Sequence, residues 1–197
     1  MKTVHYFFTP TSPWTYLGHA RFLRMAEEHG ARILLRPVDL GRVFPVSGGL
    51  PLAKRAAQRQ AYRLKELARW REFRGVPLNI HPKFFPAPAD DAARLIIAAD
   101  LAQGIAAGLK MAGALMSAVW AEERNIADAD TRAAIATEQG LDPAKLASFA
   151  DQAAAAFDAY TEEAIAAQVF GAPWYLVEGE PFWGQDRLEF VERALAA

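Results

Sequence analysis

The chain of 197 residues contains no cysteine. That single absence excludes disulfides, thiolate metal sites and cysteine nucleophiles together. Any thiol chemistry here must use a sulfur brought in by a cofactor or substrate. Charge of one sign is also lacking: 22 Lys and Arg stand against 23 Asp and Glu, a net charge of −1. There is thus no global nucleic-acid signature. No apolar run approaches the ~20 residues that a membrane helix needs, so no membrane partner is expected. Met1-Lys2-Thr3 leads straight into a short strand, without a signal-peptide core or cleavage site, and a cytoplasmic location is expected. Gly-x-Ser-x-Gly elbows, His-Glu-x-x-His spacings and glycine-rich nucleotide loops are all missing, so the chemistry they mark is not indicated.

What is present is ordinary for a folded globular protein: 52% apolar and 23% charged residues, enough to bury a substantial core in one generous domain or two small ones. Val4 to Phe8 reads as a buried strand. Ser12-Pro13 then places a hydroxyl at a helix N-cap with proline in the first turn. Trp14, Leu17, Phe22, Leu23 and Met25 line that helix, which stops near His29-Gly30. Ile33 to Val38 forms a second strand, closed by Pro37 and Asp39, and the whole is a right-handed parallel βαβ unit. Gly41 to Pro51 reads as a loop, and Leu52 to Arg74 as one long helix. A proline-interrupted loop, Gly75 to Pro88, follows. Further helices are expected from Asp90/Asp91 to Leu101, Leu109 to Arg124, Asp130 to Gly140, from Asp142-Pro143, and from Gln152 to Gln168. The end of the chain returns to strands, Trp174 to Val177 and Pro181 to Trp183, before a last helix over Leu188 to Leu195. A βαβ at one end and a ββα at the other are incomplete sheets by themselves and should pair.

Three stretches carry the functional signal. Ser12 sits at the positive end of a helix, where unpaired amides favour negative charge, although Ser-Pro is also a common plain cap. The second stretch is Val169-Phe170-Gly171-Ala172-Pro173-Trp174, a proline at the entrance to a strand. The third is Phe182-Trp183-Gly184-Gln185-Asp186-Arg187, in which Asp186 and Glu189 could form a capping box or Asp186 could meet a ligand ammonium. The four histidines, His5, His19, His29 and His81, each have a plain structural reading, and a Ser-His pair is not favoured. Leu52 to Arg74 holds eight cationic residues against two acidic ones, a local net of +6. That helix is either a solvated face or a positive wall over an anionic ligand.

Taken in order, the Ser12-Pro13-x-x-Tyr16-Leu17 start, the Val169 to Pro173 turn and the Phe182 to Arg187 stretch resemble the 2-hydroxychromene-2-carboxylate isomerases. These group with the kappa-class glutathione transferases and the DsbA-like proteins. The similarity takes in Tyr62 and Arg69-Trp70 and extends over nearly the whole chain. It implies an α/β thioredoxin-like fold with a large all-α insertion domain: residues 1–40 and 169–197 form the thioredoxin-like domain, and 41–168 the helical insertion. In that context Pro173 is characteristically cis, and the residue before it exposes unpaired backbone groups.

The resemblance further implies glutathione as cofactor. Ser12 would be the catalytic residue, donating a hydrogen bond to the bound thiolate, and Ser12, Ala172, Pro173, Gln185 and Asp186 would form the cofactor site, with no metal. In the family reaction the thiolate adds to the chromene, the ring opens, a carbon–carbon bond rotates, and elimination of thiol leaves the trans-o-hydroxybenzylidenepyruvate. The expected partner is a small aromatic carboxylate, with a homodimer left open. Trp14, Tyr62, Phe84, Phe85 and Trp120 are candidates for an apolar substrate wall, with the basic helix facing the carboxylate. Thr9 stands where the family usually has an acidic residue, and Thr11 where it has a more apolar one. Kappa-like transfer or peroxide reduction, and glutathione or peptide binding without turnover, are the rival readings.

Overall fold

The computed structural model describes residues 1–197. Strands β1 (Thr3–Phe8) and β2 (Arg32–Pro37) flank helix α1 (Pro13–Glu28). The strands pair in parallel, Tyr6 opposite Leu35, as a right-handed crossover requires. Helices α2 (Leu40–Ser47), α3 (Ala57–Arg74), α4 (Asp90–Gln103), α5 (Ile105–Trp120), α6 (Ala129–Glu138), α7 (Pro143–Ala147) and α8 (Ala150–Ala166) follow. The chain then returns through β3 (Trp174–Val177) and β4 (Glu180–Trp183) to α9 (Leu188–Ala196). The four strands form one sheet in the order β2-β1-β3-β4, with β3 antiparallel to both neighbours. The two ends of the chain do complete one sheet. Its hairpin turns at Glu178 (φ 47°) and Gly179 (φ 92°), two left-handed residues in succession that suit a tight twisted connection.

Alternation along β1 divides the core in two. Val4, Tyr6 and Phe8 point into the larger cluster with Phe22 of α1, Tyr175 of β3 and Val191 of α9. Phe7 points to the opposite face, where Val38, Val43, Ala164 and Trp174 meet it. The larger cluster continues without a break into α4 and α5 through Leu35, Ile96 and Leu115. Gly108 lets α5 approach closely: a Cβ there would lie 2.9 Å from both Asp100 Cβ and Leu35 Cδ2. Helix α8, although within the inserted stretch, packs against β2 and holds Arg36 and His5 through Glu163. No helix is long and apolar enough to cross a membrane.

Several boundaries differ from the sequence expectation. The expected loop after Asp39 contains α2, because the Asp39 carboxylate caps it by accepting from the Gly41 amide at 2.7 Å, and Gly48 ends it at φ 76°. Pro45 lies inside this short helix rather than breaking it. The long basic helix begins at Ala57, not Leu52: Leu52–Lys54 is a single 3-10 turn, separated from α3 by extended Arg55. Helix α5 runs from Ile105 to Trp120 instead of Leu109 to Arg124, since the chain reverses at one glycine, Gly104 (φ 87°). Asp128, not Asp130, caps α6, accepting from the Thr131 amide at 2.7 Å. Asp90 and Asp91 occupy the first turn of α4 rather than its cap, where they still complement the helix dipole.

Candidate active site

β1, an interior strand, delivers the chain to one end of the sheet, and the Thr9 to Ser12 turn, closed by Ser12 N–H to Thr9 C=O at 3.0 Å, starts α1 there. Ser12 is its N-cap, and the Thr15 amide donates to Ser12 Oγ at 3.2 Å. The hydroxyl in turn donates to the Ala172 carbonyl at 3.3 Å, a long and therefore weak bond. Ser12 is 7% exposed, and neither partner of its hydroxyl is a histidine. The amide of Trp14, in the first turn, makes no hydrogen bond, and Pro13 has none to make. Positive potential at this helix end is thus left open.

Ala172 and Pro173 meet Ser12 across the gap between α1 and β3, and the Ala172–Pro173 bond is cis, as the sequence resemblance implied. A second cis bond, Phe85–Pro86, was not signalled. The amide of Ala172 is also without a partner, whereas the Pro173 carbonyl accepts from the Gly184 amide at 2.9 Å. That last bond ties the proline turn to the Phe182 to Arg187 stretch. Gly184 sits at φ 100°, and a Cβ there would come within 2.4 Å of Asp186 Oδ1, so the close backbone turn needs glycine.

Gln185 is 2% exposed, and its side-chain oxygen has no hydrogen-bond partner. Gly18 of α1 makes room for it, since a Cβ at that position would lie 2.6 Å from Gln185 Cβ. Asp186 is more exposed and pairs with its neighbour Arg187 at 2.7 Å. The capping-box alternative is not realised: residues 185–187 form a 3-10 turn, Arg187 precedes α9 without a side-chain cap, and Glu189 reaches Arg21 at 3.8 Å. Ser12, Ala172, Pro173 and Gln185-Asp186 are therefore brought to one place from three distant parts of the chain.

Of these, Ala172, Gln185 and Asp186 line a cleft of about 740 Å³ between this end of the sheet and α3; Ser12 and Pro173 are not on its wall but adjoin it through Ala172. Its wall includes Trp14, Tyr62, Trp70, Ala172, Phe182 and Trp183 together with Gln185 and Asp186. Of the five aromatics expected to line a substrate wall, Trp14 and Tyr62 do so. Trp120 does not: it is fully buried in the core against Phe85, with ring centroids 4.8 Å apart. Phe84 and Phe85 are not on the wall either, although Phe85 lies beneath Arg63, which is. Phe182 and Trp183 carry the third motif but are not among the expected wall residues; as consecutive residues of the edge strand they point to opposite faces, so strand alternation does not place both on the wall.

The cleft is electrically divided. Arg55, Arg59 and Arg63 lie toward the start of α3, and Glu66 and Asp186 toward the other end. Arg69 neutralises Glu66 with an ion pair at 2.5 Å. Burial, and secondarily Arg55, pull the Arg63 guanidinium down to about 10, so it remains charged at neutral pH. Behind the cleft, buried Tyr6 and Tyr175 stack with centroids 5.4 Å apart, and burial raises both phenols above their ordinary range. His19 is 6% exposed, lies 3.1 Å from both the Tyr6 hydroxyl and the Leu109 carbonyl, and is pulled down to about 4 chiefly by burial. As a neutral ring it joins α1 to α5 and takes no part in the cleft.

A family profile described as a DSBA-like thioredoxin domain matches residues 3–196. The 2-hydroxychromene-2-carboxylate isomerase of Pseudomonas putida is 30% identical over 98% of this chain and 93% of its own length. A solved 2-hydroxychromene-2-carboxylate isomerase superposes with a TM-score of 0.79 at 27% identity, covering 98% of this chain and 94% of that one. The cytosolic disulfide reductase DsbM of Pseudomonas aeruginosa, solved with GSH, shares the fold at a TM-score of 0.67 and 20% identity over 99% of this chain and 100% of that one. With a four-stranded mixed sheet, a cis-proline turn facing the start of α1 and a match along its whole length, the chain belongs to the DSBA-like thioredoxin-domain family and, within it, to the 2-hydroxychromene-2-carboxylate isomerases.

Proposed function

We propose that the protein is a glutathione-dependent isomerase of 2-hydroxychromene-2-carboxylate-like aromatic acids, working in the cleft between a thioredoxin-like part (1–40 and 169–197) and the helical insertion (41–168). The observation that carries this reading is Ser12. A small hydroxyl caps a helix whose Trp14 amide is free, in a chain with no sulfur nucleophile of its own. When bound, glutathione supplies the nucleophilic sulfur, whose reversible addition to a conjugated double bond converts it into a rotatable single bond. That chemistry needs neither a redox group nor a metal from the protein.

The residues present fit such a guest. The weak Ser12–Ala172 bond leaves the hydroxyl able to turn and donate to a thiolate. A free thiol titrates near 8.5, so a hydroxyl donor and a helix N-terminus together raise its ionised fraction at neutral pH. The unpaired Ala172 amide offers an extended peptide one edge-strand hydrogen bond. The unpartnered Gln185 oxygen accepts from an amide or ammonium, and Asp186 favours a cation.

The test is an assay of 2-hydroxychromene-2-carboxylate ring opening with and without glutathione, run beside chlorodinitrobenzene and cumene hydroperoxide. Turnover that requires glutathione and is confined to the chromene is expected. Equal rates without the tripeptide, or activity on the other two electrophiles only, would reject the proposal.

A further inference from the structure

The cations around the cleft are not alike. Arg69 is held by Glu66 at 2.5 Å and Arg187 by Asp186 at 2.7 Å. Arg55 donates from Nε to the Leu50 carbonyl at 2.8 Å. Arg63 has neither a carboxylate nor a carbonyl partner, although it is half-buried and on the cleft wall. What fixes it is aromatic: its guanidinium carbon lies 5.3 Å from the Phe85 ring centroid and 5.8 Å from that of Trp120.

Such an arrangement has a physical direction. A partly desolvated charge without a counter-ion is unfavourable, and a bound anion relieves it. Stacking against two rings orients the planar fork without using its N–H donors, so they stay available for two-pronged contact with a carboxylate. Nearby Arg59 is also free of ion pairs but exposed, so it adds potential rather than geometry. Aromatic surface from Trp14, Tyr62, Phe182 and Trp183 shares the cleft with this one oriented cation. A single fork beside aromatic walls suits a planar aromatic monocarboxylate.

We infer that Arg63 is the specificity-determining residue that takes the carboxylate of an aromatic acid substrate in this cleft. The inference rests on the proposed isomerase reading for the substrate's identity, but not for the binding event itself. The Phe85 and Trp120 rings act as its platform, and the basic stretch of α3 around it has little other structural work, since Leu67 is the one fully buried residue of that helix.

Calorimetric titration of 2-naphthoate and uncharged 2-naphthamide into the intact protein, Arg63→Gln and Arg63→Lys tests it. The wild type should prefer the acid, and Arg63→Gln should lose about 10- to 100-fold in acid affinity with the amide unchanged. Arg63→Lys should recover part of that loss, since charge persists without the fork. In the chromene assay the same Arg63→Gln change should raise KM by a similar factor, leave kcat within about threefold and leave glutathione affinity unaltered. Acid-over-amide preference that survives in Arg63→Gln overturns the inference, as does a loss that falls on glutathione instead. A wild type that binds naphthoate through Arg63 yet never turns over the chromene rejects only the isomerase reading.

Discussion

Behind the sheet, where His5 and Phe7 of β1 face α8, the charged groups are matched one to another, although the buried Trp174 indole N–H there has no partner. Glu163 receives Arg36 at 2.6 Å and lies 2.5 Å from His5 Nδ1. Arg36 also stacks on Tyr160 at 4.2 Å, and Thr161 accepts from the Asp39 amide while donating to the Phe157 carbonyl. Around the start of α1 and its cleft the pattern reverses. The Thr15 hydroxyl, the Gln185 carbonyl oxygen and the Tyr175 phenol are buried without partners, and the amides of Trp14 and Ala172 are free. Native proteins rarely leave such groups unmatched without a reason. One side of the sheet thus matches its charges internally, and the other leaves more donors and acceptors unmatched, among them the Gln185 oxygen on the cleft wall.

Substitutions on the two sides should accordingly separate activity from stability. The largest effect is expected from Ser12→Ala. Loss of the one hydroxyl donor should cut turnover by about 100-fold or more, while the missing cap costs only about 1 kcal/mol in a denaturant melt. Full activity in that variant would place the cleft's chemistry elsewhere.

Acid provides the next test, through His19. Folding lowers its proton affinity from 6.5 to about 4, so the unfolded chain binds more protons throughout that window. Stability should be fully present above pH 6.5 and fall by roughly 3 kcal/mol on going down to pH 4. His19→Gln should flatten that part of the profile; an unchanged slope would assign the acid sensitivity to other groups.

Glu163→Ala strikes the closed side. It strands the Arg36 guanidinium without its counter-ion and leaves His5 Nδ1 without its partner, and, since Glu163 is itself a third exposed, about 2 kcal/mol of stability should go. Chromene turnover per folded molecule should stay as it was. The smallest and most local change is Gly18→Ala. Its methyl would press on Gln185 Cβ, where only 2.6 Å is available, at a cost near 1 kcal/mol. If Gln185 meets glutathione as proposed, the affinity for the tripeptide should drop severalfold, out of proportion to that small loss of stability. A uniform loss in both would make Gln185 merely a packing residue.

Local chemistry made a good part of this readable in advance. Ser12-Pro13 starts a helix, Asp142-Pro143 starts another, and the runs at either end of the chain form strands, because caps and β-propensity act over a few residues. The boundary of α3 and the helix after Asp39 were misjudged for the same reason. Asp39, two residues beyond β2, is the cap of the next helix, and proline at position 45 suggested a loop. The aromatic wall fell furthest short. Trp120 and Phe85 belong to the apolar periodicity of helix and loop, which does not distinguish a core from a cleft.

By itself, then, the sequence determined most of the elements, the lack of any thiol, and the residue types of three motifs, since each of these is read from residues alone or from a short stretch. That Ser12 lies 3.3 Å from the carbonyl of Ala172, that Gly18 admits Gln185, and that Arg63 stands unpaired over Phe85 and Trp120 were decided only by the tertiary structure. Those contacts join residues far apart in the chain. Their geometry exists only once the sheet has closed between the two ends of the chain and α3 has come to lie across from it.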